Sequence, residues 1–77
     1  MPMKTKVHSD LALAVVEFDV VENQGGLTEE SWAYYPDDLS RLLSTLRKER
    51  RVDPIYLDIA EKLVADRVEA DRRGFVA

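Results

Sequence analysis

The alternation of apolar and polar positions divides the 77-residue chain at three points of punctuation: Gly25-Gly26, Pro36 and Asp53-Pro54. The last segment has the clearest period. Ile55, Ile59 and Leu63 recur every four residues, and with Tyr56, Ala60, Val64 and Val68 they form a broad apolar stripe at helical spacing. Asp53 suits an N-cap, and Pro54 then falls at the first helical position, where no N–H is needed. Arg72 and Arg73 stand near the negative end of the helix dipole, and Gly74 supplies a left-handed stop. Asp58 with Lys62 and Glu69 with Arg73 are acid-before-base pairs four residues apart. The spacing predicts a helix over 54–73. A second helix is predicted over 37–51, with Leu39, Leu42, Leu43 and Leu46 on one face, Asp37 or Asp38 as its cap and Asp37 paired with Arg41. A short connection through Val52 makes the two an antiparallel helical hairpin.

The stretch 11–35 fits two periods. As a strand, Ala12, Ala14, Val16, Phe18 and Val20 face one way while Glu17 and Asp19 face the other. As a helix behind a Ser9 cap, Leu11, Ala14, Val15, Phe18 and Val21 line one face. The four valines and one phenylalanine of residues 15–21 favour the strand on propensity, and Gly25-Gly26 then turns the chain so that residues 30–35 pair back. Thr28-Glu29-Glu30 has the form of a helix start, yet one continuous helix from Trp32 to Leu46 would hold Pro36 in its interior at a cost of about 3 kcal/mol. The expectation is therefore an α+β fold, an N-terminal β-hairpin followed by the antiparallel two-helix hairpin, with an all-α three- or four-helix bundle as the alternative. Residues 1–8 read as a mobile terminus and 74–77 as a tail, in which Phe75 and Val76 can fold back or dock on a second subunit.

Composition narrows the function classes. A chain of this length holds one small domain with a marginal core, for which self-association into a homodimer is a usual remedy. It has no cysteine, so disulfides and thiolate chemistry are excluded, and one histidine, His8. No run approaches the length of a membrane span, and Leu11–Val16 is too short for a secretory signal; the expected setting is cytoplasmic. The net charge of −4 is unevenly spread: residues 1–40 set eight acids against Lys4 and Lys6, whereas residues 41–77 carry an excess of +2. That balance disfavours a free-standing nucleic-acid binder and steers the protein toward basic partner surfaces.

No motif names an activity. His8-Ser9-Asp10 collects the residue types of a nucleophilic triad, but consecutive residues cannot supply its through-space order. Glu29-Glu30 and Asp37-Asp38 are carboxylate pairs whose neighbours diverge on any regular element, and no metal-ligand or nucleotide-binding spacing is present. The expectation is a non-enzyme with no cofactor and no metal. Trp32, Tyr34 and Tyr35 are candidate interface anchors, with Glu29, Glu30, Asp37 and Asp38 as an acidic rim. They point to an inhibitor or regulatory protein that masks a basic surface on another protein. The alternative is a nucleic-acid-binding transcriptional regulator or antitoxin that uses Arg41, Arg47, Lys48, Arg50 and Arg51 on phosphates.

Overall fold

In the computed structural model, which describes residues 9–73, four helices follow one another: α1 (Ser9–Glu22), α2 (Glu29–Trp32), α3 (Pro36–Lys48) and α4 (Pro54–Arg72). There is no strand among the described residues, which corrects the β-hairpin expected over 11–35; the architecture is the all-α alternative. The expectations for residues 1–8, His8 and the 74–77 tail lie outside the described residues.

The correction has a physical cause. A two-stranded hairpin is marginal unless a third layer covers one face, whereas the helix sets Ala12, Val16 and Val20 on one side at four-residue intervals. All three are buried, at 1%, 0% and 0% exposure. They pack into a single core with Leu39, Leu43 and Leu46 of α3, Val52 of the connection, and Leu57, Ala60 and Val64 of α4. Tertiary burial overrides the strand propensity of the valines. α3 packs on both α1 and α4, and the short α2 sits against α1 and α3.

Helix ends explain the rest of the chain path. Asp53 caps α4 by accepting the Ile55 N–H at 3.0 Å, with Pro54 at the first helical position. α3 likewise opens on Pro36, but the residue before it, Tyr35, makes no side-chain cap; Asp37 and Asp38 lie inside the first turn, where they favour the dipole rather than cap it. Arg41 is accordingly 3.7 Å from Asp38 rather than paired with Asp37. Pro36 thus ends any continuation from Trp32, and α2 remains a single turn capped by Thr28, whose Oγ1 accepts the Glu30 N–H at 3.3 Å.

Two helices stop on reciprocal C-terminal hydrogen bonds of the Schellman type. Gly25 N–H reaches Val20 C=O at 2.8 Å, with Gln24 at φ 49°; Arg51 N–H reaches Leu46 C=O at 3.0 Å, with Arg50 at φ 54°. Both left-handed positions carry an L side chain where glycine is the usual occupant. Gly25 itself, at φ 99°, is pressed on α4. A Cβ there would stand 2.7 Å from Ile59 Cβ and 2.9 Å from the Tyr56 carbonyl oxygen, so the turn expected to start a hairpin instead packs α1 onto α4.

Candidate interaction surfaces

The aromatic trio does not share a face. Trp32 and Tyr34 are half-buried and pack against the core, while Tyr35, 52% exposed, points away from it. The Arg67 guanidinium lies over the Trp32 ring at 4.7 Å from its centroid, which ties α4 to α2. Around them Glu29, Glu30 and Asp37 are exposed and Asp38 is half-buried. The acidic rim is therefore on the surface, but two of its three aromatic anchors are engaged within the protein.

The basic residues are likewise partly engaged. Arg47 contacts Asp58 at 2.8 Å and Glu61 at 2.9 Å, bridging α3 to α4. Arg51 bridges Glu17 of α1 and Glu49, each at 2.9 Å. Asp58 thus serves Arg47 rather than Lys62, whereas Glu69 does reach Arg73, at 3.8 Å. Among the described residues Lys48 and Arg50 form no ion pair. A shallow groove of about 550 Å³ opens at the α3–α4 turn, lined by Arg47, Arg50, Arg51, Val52, Pro54 and Leu57 among others. Two of its arginines, Arg47 and Arg51, are already held in ion pairs.

No motif in the sequence marks Asp19, which the strand reading sets beside Glu17 on the polar side. It is 3% exposed and is the only charged residue among the buried ones described. Its Oδ2 accepts the Thr28 N–H at 3.0 Å, the Thr28 hydroxyl at 2.6 Å and the Ser31 hydroxyl at 2.7 Å. Burial pushes this carboxyl upward, but the bonds from the hydroxyls and backbone of Thr28 and Ser31 together outweigh it and hold it below its ordinary range. No buried side-chain polar atom among the described residues lacks a partner. Asp19 is a structural anion that pins α2 to α1. No group of three or more His, Cys, Asp or Glu among the described residues gathers at metal-binding distance.

What distinguishes the surface is its apolar content. Eight large hydrophobic side chains among the described residues are exposed; Leu11, Phe18 and Val21 lie on α1, Ile55, Ile59, Leu63 and Val68 on α4, and Tyr35 just before α3. On α1 these are the residues that the helical reading places on a single face. The structure turns that face to solvent and buries the opposite one, because Asp19 must face α2 and because Ala12 and Val16 allow close approach of α3. The signal for this was present in the sequence: α1 is apolar on both sides of its wheel, more than one small core can cover. No helix is long and apolar enough among the described residues to cross a membrane. The chain matches no protein-family model, no curated protein and no solved structure.

Proposed function

We propose that this is a non-catalytic helical module that binds another protein and regulates it by covering its surface. The observation that carries this reading is the exposure of Leu11 and Phe18, 64% each, on the side of α1 opposite the core. Exposed apolar faces of this kind mark interaction sites on soluble proteins. Covering the remaining area of a leucine or phenylalanine exposed to that extent contributes roughly 1–2 kcal/mol each. The acidic N-terminal half supports a basic partner, as does the rim formed by Glu29, Glu30, Asp37 and Asp38. The same surplus of apolar surface supports a homodimer, for which the Ile55-Ile59-Leu63 stripe of α4 is the better side, since Lys62, Asp66 and Arg67 place both signs of charge beside it.

The phosphate-binding alternative finds less support. Arg47 and Arg51 are held by carboxylates, and α4, the helix that would read a groove, carries Asp58, Glu61, Asp66, Glu69 and Asp71.

Photocrosslinking in the native host tests the reading. A benzoylphenylalanine placed at position 18 or 63 is expected to yield discrete adducts with a different protein, and one at the exposed polar position Ser44 is expected to yield none. Adducts no more abundant from 18 and 63 than from 44 would remove the basis for a protein-binding role.

A further inference from the structure

The outer face of α1 has a shape and a charge that together specify its occupant. Leu11, Ala14, Phe18 and Val21 are all exposed and recur at intervals of three, four and three residues, the spacing of a helix-packing seam. α1 contains Asp10, Glu17, Asp19 and Glu22 and not one basic residue. Asp19 is spent inside. By the 3.6-residue period, Asp10 and Glu17 fall along one edge of the seam and Glu22 along the other. Glu17 is shared with Arg51, while Asp10 and Glu22 form no ion pair among the described residues.

We infer that α1 is the docking surface for an amphipathic helix of a partner protein, with apolar side chains at three- and four-residue spacing flanked by lysine or arginine. The inference rests on the protein-binding reading above and assigns the site and the partner's chemistry. A second copy of α1 is the poorer occupant. A second α1 has no basic residue to offer Asp10 or Glu22, whereas a basic helix supplies a countercharge to each and covers the same apolar row. The α4 stripe offers no such choice, because charges of both signs lie beside it.

Three labelled 18-residue peptides test this by fluorescence anisotropy with the full chain: a Leu/Lys amphipathic helix, its Leu/Glu counterpart, and a Gln/Lys peptide of unchanged charge. The Leu/Lys peptide is expected to bind at least about tenfold more tightly than either control. Raising salt from about 50 to 300 mM is expected to weaken it several-fold. Leu11→Ser with Phe18→Ser is expected to weaken it about tenfold while the circular dichroism spectrum stays unchanged. Should that pair fail to fold, Asp10→Lys with Glu22→Lys leaves the apolar row intact and is expected to reverse the preference toward Leu/Glu. Equal binding of the Gln/Lys or Leu/Glu peptide, or no response to either pair of substitutions, overturns the assignment. So does a dimer in sedimentation that dissociates on Leu11→Ser with Phe18→Ser, because the seam is then filled by a second copy. Crosslinks to a different protein from position 63 but not from 18 would likewise sink this site while leaving the protein-binding reading in place.

Discussion

Asp19 shows how much one side chain decides here. A buried carboxylate is unfavourable unless several donors converge on it, and Thr28 and Ser31 supply three, at 2.6 to 3.0 Å. The consequence for pH follows from the direction of the shift. Asp19 binds its proton less readily in the folded chain than in the unfolded one, where an aspartate titrates near 3.8. Its contribution to stability is therefore fully present above that value and is lost as the pH falls through the lower, folded one. Asp19→Asn is expected to cost about 1–3 kcal/mol at neutral pH, because a neutral amide oxygen accepts the three hydrogen bonds more weakly than a carboxylate and the NH2 group beside it is buried against the Ser31 backbone N–H. Urea titrations at pH 7 and near pH 3 provide the check: the gap between wild type and Asp19→Asn should narrow in acid. A gap that stays constant would mean that the charge of Asp19 contributes nothing. Gly25 is a second decisive position. Gly25→Ala combines φ 99° with a Cβ 2.7 Å from Ile59 Cβ, and is expected to destabilise by about 2–4 kcal/mol in the same titration.

At the scale of elements, α3 and α4 are legible in the sequence because their signals agree. The leucine period, Asp53-Pro54 and Pro36 all act within a few residues, and the structure starts α4 at Pro54 and α3 at Pro36. For α1 the sequence holds both a strand and a helix reading and local propensity tips toward the wrong one, since the preference of Val15, Val16, Val20 and Val21 for strand is local while the reason for the helix is not: it lies in Leu39, Leu43 and Leu46, which need a partner face. The orientation of α1 depends on Thr28 and Ser31, nine and twelve residues beyond Asp19, which no periodicity in 9–22 can reveal. The candidate site suffers from this most directly. Trp32 and Tyr34 drew attention by composition, but the break at Pro36 folds them against the core, and the exposed row of α1 appears only once its inner face is known. The helix ends yield their own prediction. Gln24 and Arg50 occupy left-handed positions, at φ 49° and 54°, so Gln24→Gly and Arg50→Gly should each stabilise the fold by about 0.5–1 kcal/mol. A rise in the thermal midpoint for both variants checks it. A fall for Arg50→Gly alone would assign that arginine a native contact outweighing its backbone strain.

For the whole molecule, the division between core and interface can be measured as a contrast between two kinds of apolar deletion. Leu43 has no exposed surface and sits at the centre of the core, so Leu43→Ala is expected to cost about 2–5 kcal/mol, enough to unfold much of a domain this small. Leu11 and Phe18 are apolar to a similar degree, yet each is 64% exposed, and replacing both with serine is expected to move stability by less than about 1 kcal/mol. Binding should invert this ranking. A ligand that occupies only the folded state at about a hundred times its Kd adds about 2.7 kcal/mol, which in a chain of this size is a rise of about 10–20 °C in Tm. A Leu/Lys helix on α1 should therefore raise the midpoint of the wild type and of any core variant that still folds, and fail to raise that of Leu11→Ser with Phe18→Ser. The exposed row then differs from the core in what it stabilises: the core residues hold the four helices together unaided, and the outer face of α1 adds its share only when a second helix removes it from water. Equal heating of the double variant by the peptide would place the binding energy elsewhere on the surface, with the stripe of Ile55, Ile59 and Leu63 next in line.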